Sequence, residues 1–130
     1  MQHCLDTSVC VEIMRQGESF DAIDLDLSDC VLSSIARFEL EYGISRAPSH
    51  LKATLRERLA LLLSSIEEIA FDGQAARHAA DIRHRLETKG TPIGHYDTLI
   101  AAHARSRQLT VVTGNAREFK RVPKLKVIPV

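Results

Sequence analysis

Tryptophan is absent from the 130 residues, and aromatic side chains of all kinds make up only 5% of them. A core with so few rings is built from Leu, Ile, Val and Ala, which favours helices laid on a small sheet over an aromatic-rich β-sandwich. No apolar stretch approaches the roughly 20 residues that cross a bilayer as a helix. The opening segment, Met1-Gln2-His3-Cys4-Leu5-Asp6, has neither the basic nor the apolar region of a secretory signal. The expectation is a soluble, cytoplasmic chain with no membrane partner. Surplus charge is missing as well, since 17 Lys plus Arg meet 17 Asp plus Glu. A nucleic-acid binder usually carries a basic excess, because neutralising phosphates releases counterions. The balance neither supports nor excludes RNA: carboxylates gathered around a cation leave the remaining surface effectively basic.

Missing patterns remove whole chemistries. Neither G-x-x-x-x-G-K-[ST] nor G-x-G-x-x-G occurs, so a Gly-rich phosphate cradle has no support. His3, His50, His78, His84, His95 and His103 show no H-x-x-x-H or H-E-x-x-H spacing, which argues against zinc hydrolysis. His103, on an Ala-rich stretch, reads as a packing residue. Cys4, Cys10 and Cys30 are odd in number, lack C-x-x-C spacing and read as small buried apolar groups. A phosphorelay receiver domain needs paired acids early in the chain and a Lys after a late strand, and neither is evident.

What is present is an alternation of short apolar runs with amphipathic helices. The length suits one domain over residues 1–130. His3-Cys4-Leu5 reads as a strand that stops at Asp6, and Thr7 or Ser8 caps a helix carrying Val9, Val11, Ile13 and Met14 up to Gly17. Cys30-Val31-Leu32 is a second strand, followed by capping residues Ser33-Ser34 and a helix through Ile35, Phe38, Leu40 and Tyr42. Pro48-Ser49 opens a long helix with Leu51, Leu55, Leu59, Leu62 and Leu63 at three-to-four spacing. Ile66 to Phe71 reads as a third strand. Asp72 caps a helix from Gln74 to about Lys89, stopped by Gly90. A further helix starts near Gly94, Leu109 to Val112 forms a buried strand, and Val127-Ile128-Pro129 adds an edge strand. Strands alternating with helices imply crossover connections, hence a three-layer α/β/α fold with a short, mainly parallel sheet.

In such sheets, sites form beyond the carboxyl ends of the strands. Asp6 follows the first strand, Glu39 lies in the helix after the second, and Asp97 lies in the first turn of its helix. Asn115 and Glu118 follow the strand at 109–112. Each has an ordinary structural explanation: Asp6 and Asp97 suit helix N-termini, Glu39 suits a surface, and Thr113-Gly114-Asn115 is turn chemistry. Their joint placement after strand ends carries more information. Clustered carboxylates repel unless a cation neutralises them, and hard ions such as Mg²⁺ or Mn²⁺ prefer oxygen ligands. Such an ion generates a nucleophilic water near neutral pH and stabilises charge on a phosphoryl group. Metal-dependent phosphodiester cleavage is the reaction this set suits.

The same residues resemble a family. Leu5-Asp6-Thr7-Ser8-Val9 is similar to the opening motif of PIN-domain ribonucleases, and Phe38-Glu39-Leu40-Glu41-Tyr42-Gly43 to their Glu-Leu-x-Tyr-Gly segment. Gly90 to Asp97 with Leu99 to Ala104 resembles their third acidic motif, and Val112 to Phe119 followed by Arg121-Val122-Pro123 the closing one. The order and spread of these matches resemble the VapC-type toxins of bacterial toxin–antitoxin pairs. The resemblance implies a Mg²⁺- or Mn²⁺-dependent endoribonuclease acting on structured RNA, often tRNA. Asp6 and Asp97 become principal metal ligands, and Glu39 a further ligand or the group that orients the attacking water. Glu118 and Asn115 complete the catalytic set. It also implies a cognate VapB-type antitoxin that blocks the site, and a homodimer. Two departures stand out: Ser8 replaces the usual Asn, and Gly114 replaces a larger polar or basic residue. The competing reading is an inactive PIN-like module that binds RNA or protein, although clustered negative charge gives a pure RNA binder no advantage. Arg77, Arg83 and Arg85, with His78 and His84, form either a solvated face or an RNA-contact strip.

Overall fold

The computed structural model describes residues 2–16 and 25–130. Five parallel strands form one sheet in the order β3-β2-β1-β4-β5, comprising β1 (His3–Leu5), β2 (Cys30–Ser33), β3 (Glu67–Ile69), β4 (Thr110–Thr113) and β5 (Val127–Pro129). The helices are α1 (Thr7–Gln16), α2 (Ser34–Arg46), α3 (Ser49–Ser65), α4 (Gly73–Thr88), α5 (His95–Ser106) and the single turn α6 (Ala116–Phe119). They cover the sheet as the expected three-layer α/β/α arrangement, with α1, α2 and α3 packed together and α4 against α5. Among the described residues, no helix is long and apolar enough to cross a membrane.

The central strands are apolar because they are covered on both faces. Cys4, Leu5, Val31, Leu32, Val111 and Val112 are all buried, and each fully covered Leu or Val contributes about 1.5–3 kcal/mol of transfer free energy. Ile82 and Leu86 of α4 and Ile100 of α5 close the core. The three cysteines are free and buried as expected. Burial pushes the Cys4 thiol up to about 12 and the Cys30 thiol to about 11, so both stay protonated and inert.

Local signals place the connections. Ser33 caps α2 by accepting from the Ile35 amide, and Asp72 caps α4 by accepting from the Ala75 amide at 3.0 Å. Gly90 ends the α4 segment with φ +72°, a conformation favouring glycine. Three expectations need correction. The cap of α1 is Asp6, whose Oδ1 accepts from the Val9 amide at 3.1 Å; Thr7 and Ser8 are the first residues of the helix. The third strand is shorter than Ile66 to Phe71. Ile66 still bonds back to Leu62 as the end of α3, and the Phe71 amide donates to Ser34 Oγ instead of to a strand. The strand placed at Leu109–Val112 runs from Thr110 to Thr113. The helix stop at Gly17 lies outside the described residues.

The topology has one consequence for function. From β1 the chain moves to β2 and then β3 on one side, whereas β4 pairs with the other side of β1. The order reverses at β1, opening a crevice beyond its carboxyl end. Asp6, the residue after β1, stands at that point.

Candidate active site

Asp6 is 2% exposed, a costly position for a carboxylate unless hydrogen bonds replace water. Its Oδ1 accepts from the Ser8 hydroxyl at 2.6 Å and from the Val9 amide at 3.1 Å, and its Oδ2 accepts from the Thr113 hydroxyl. The same Thr113 oxygen accepts from the Asn115 amide at 2.8 Å, and Ser8 Oγ accepts from the Gly114 amide at 3.1 Å. The turn after β4 is thus tied to the start of α1, with the Asp6 carboxylate as the knot. Ser8 and Gly114, both singled out in the sequence as departures from the motifs it resembles, touch each other. A Cβ on Gly114 would stand 3.3 Å from Ser8 Oγ.

Asp97 arrives from another direction, in the first turn of α5. Gly94 precedes it with no side chain, and a Cβ there would sit 3.5 Å from Asp97 Oδ2. Asn115 heads α6 without using its side chain as a cap; its amide nitrogen lies 3.4 Å from Asp97 Oδ2 as donor. Glu39 is turned toward α1, where the Thr7 hydroxyl donates to its Oε1 at 2.6 Å. Glu118 is in α6, the turn that Asn115 heads. Burial, then the charges of Asp6, Glu39 and Glu118, push the Asp97 carboxyl up to about 6, against which the Asn115 amide pulls down. Among the described residues, every charged group acting on Asp97 is therefore of its own sign.

All five residues expected from the sequence, Asp6, Glu39, Asp97, Asn115 and Glu118, flank this crevice. The hydroxyls of Thr7 and Thr113, which fix the carboxylates, show in the sequence only as cap and turn chemistry. Thr113 carries one usable signal, a β-branched hydroxyl at the end of a buried strand. Among the described residues, no three acidic, His or Cys side chains already meet closely enough to cage a metal ion. The oxygens are held by hydroxyls and amides instead. An unneutralised, oxygen-only acidic basin of this kind fits a hard divalent ion that retains several waters, and does not fit a dehydrated nitrogen–sulfur site.

The PIN domain family model matches residues 3–125. The chain belongs to the PIN-domain family. The curated relatives it matches include VapC proteins. The tRNA(fMet)-specific endonuclease VapC of Salmonella typhimurium (strain LT2) is 37% identical over 131 residues, spanning 98% of this chain and 96% of that protein. Ribonuclease VapC2 of Rickettsia felis is 36% identical over 129 residues, spanning 96% and 95%. The crystal structure of VapBC2 from Rickettsia felis, bound to a DNA fragment from their promoter, has a TM-score of 0.90 at 33% identity and covers 100% of this chain and 99% of that one. DNA-bound VapBC from Salmonella typhimurium also scores 0.90, at 35% identity, over 99% and 98%. This PIN chain therefore matches those relatives along nearly its whole length.

Other candidates have partners within the chain. Arg83 pairs with Glu87, and Arg85 with Asp81, so these residues of the basic α4 face are ion-paired on a solvated surface. His103 is fully buried, its Nδ1 2.7 Å from Ser33 Oγ and its ring edge-on to Phe71.

Proposed function

We propose that this PIN chain is a divalent-metal-dependent endoribonuclease toxin that cuts structured RNA, with tRNA as the favoured substrate class. The observation that carries the reading is the convergence of Asp6, Glu39, Asp97 and Glu118 at the sheet's switch point, where among the described residues the charges of Asp6, Glu39 and Glu118 all oppose ionisation of Asp97. The names of the relatives, ribonuclease and tRNA(fMet)-specific endonuclease, support the substrate class. A match to VapBC complexes along nearly the whole chain supports a VapB-type antitoxin as a partner. In this reading the partner covers the basin and the toxin pairs with a second copy of itself.

Asp6 and Asp97 hold Mg²⁺ or Mn²⁺, with Glu39 as the third acid. When bound, the ion supplies a nucleophilic water near neutral pH and offsets charge on the phosphoryl group. The chain's own groups do the positioning. Ser8, Thr113 and the Val9 amide lock the Asp6 carboxylate in one orientation. Thr7 holds one oxygen of Glu39 and leaves the other to orient a water. Asn115 steadies Asp97 through its amide, and Glu118 adds to the negative field that draws in the cation.

The test is direct. Purified protein with Mn²⁺ or Mg²⁺ cleaves bulk tRNA, EDTA stops it, and Asp6→Ala or Asp97→Ala removes it. Full cleavage by either variant overturns the metal roles. Co-expression with the product of an adjacent small DNA-binding gene relieves growth arrest if the antitoxin assignment is right.

A further inference from the structure

In a chain with only two Tyr and four Phe, both tyrosines and Phe38 are spent on the surface. Phe38 is 49% exposed, Tyr42 54% and Tyr96 47%. They form a continuous row: Phe38 and Tyr42 lie nearly parallel with centroids 6.2 Å apart, and Phe38 and Tyr96 meet at 5.5 Å and 52°. Arg46 extends the row, its guanidinium 4.9 Å from the Tyr42 centroid. The row links α2 to the start of α5 and borders the acidic basin on both elements. Phe38 directly precedes Glu39, and Tyr96 directly precedes Asp97.

Half-exposed rings clustered in one row form an apolar patch, and such patches mark interaction surfaces. An unpaired nucleobase fits. Bases stack on aromatic faces without regard to sequence, and an arginine beside the stack supplies both a cation–π contact and a phosphate partner. An RNA with its scissile phosphodiester over the basin must lay the adjoining nucleotide across one of the flanking elements. We infer that Phe38, Tyr42 and Tyr96, with Arg46, are a stacking platform for an unpaired base next to the cleaved bond. The platform confers a preference for loops over duplex, because a base inside a helix already stacks on its neighbours. The inference rests on the ribonuclease reading of the basin.

The experiment uses the whole protein in EDTA, where nothing is cut. The probe is an unstructured mixed-sequence RNA oligonucleotide carrying 2-aminopurine, compared with the same sequence as duplex. Wild-type protein quenches the single-stranded probe. Phe38→Leu and Tyr96→Leu, which keep apolar bulk, lose the quenching and bind it roughly tenfold more weakly. Phe38→Tyr restores both, and duplex binding is the same for all four proteins. In Mn²⁺ the leucine variants raise KM for a loop substrate more than they lower kcat. Leucine variants that quench and bind like wild type overturn the platform and leave the ribonuclease reading standing. So does a dimer, seen by sedimentation, that Phe38→Asp dissociates without weakening RNA binding, since the rings then belong to a contact between copies. Ring-dependent binding with no cleavage in Mn²⁺ upholds the platform and sinks the ribonuclease reading.

Discussion

Asp81 and Asp97 stand on neighbouring helices and have opposite surroundings. Asp81 accepts from Arg85 at 2.9 Å and from Arg105 at 2.7 Å, and these bonds, Arg105 foremost, hold its carboxyl down at about 2. Among the described residues Asp97 has no such cation, and burial together with three other acids pushes it up to about 6. The cations that balance the sequence total are placed elsewhere: Arg37 serves Glu41 and Glu68, and Arg83 serves Glu87. A neutral sum thus conceals separated charge. One acid is satisfied and holds helices together, while the other is left unsatisfied where a cation is wanted.

The largest test of this contrast is catalytic. Asp97→Asn and Asp6→Asn are expected to lower single-turnover RNA cleavage in Mn²⁺ by at least about a hundredfold, the scale of losing metal-assisted charge stabilisation. Asp81→Asn leaves cleavage unchanged. Equal losses at both helices would erase the distinction.

Stability reverses the ranking. Arg105 is 11% exposed and also donates to the Pro123 carbonyl at 3.1 Å and to His78 Nδ1 at 2.9 Å. Arg105→Ala should therefore cost about 2 kcal/mol in urea unfolding. In EDTA at neutral pH, Asp97→Asn should instead gain about 1 kcal/mol, because it removes repulsion that folding creates. A loss of stability in the Asp97→Asn variant contradicts the view of Asp97 as strained by its neighbours.

The pH dependence follows from the same shifts. Asp97 binds its proton more tightly folded than unfolded, so between about 4 and about 6 the folded state carries the extra proton. Metal-free stability from this group therefore falls as pH rises through that window, and Asp97→Asn flattens the slope. Cleavage at fixed, subsaturating Mn²⁺ should rise through the upper part of the window as the carboxylate becomes available. Asp81 has the opposite sign: its stabilisation is present above its ordinary value of 3.8 and disappears as pH falls toward about 2. An acid limb unaffected by Asp81→Asn would contradict that assignment.

How much of this was readable in the chain depended on range. Ser33, Asp72 and Gly90 act within a few residues, and the sequence displayed them. The acids were legible as a set because strand-end positions converge in a parallel sheet. The extent of β3 was not, since Ser34, 37 residues away, claims the Phe71 amide that a longer strand would have paired. Nor was the exposure of Phe38 and Tyr42. Their four-residue spacing marks one helix face, and it is the placement of α2 against the sheet that turns Leu40 and Ile44 inward and that face out. The knot around Asp6 joins residues 107 apart, which no local pattern reveals.

The finest test concerns that knot. Ser8 Oγ stands between Asp6 Oδ1 and the Gly114 amide, and a methyl on Gly114 would press on it from 3.3 Å. The oxygen must yield by a few tenths of an ångström, while the backbone at 114 needs no special φ. Gly114→Ala should therefore cost only about 0.5 kcal/mol of stability. In a Ser8→Ala background the obstacle is gone, so the same alanine should cost nothing. Urea unfolding of the two single variants and the double variant measures the coupling. An additive cycle means that the serine and the glycine occupy their positions independently, and the hydroxyl bridge then holds Asp6 without any help from the small residue at 114.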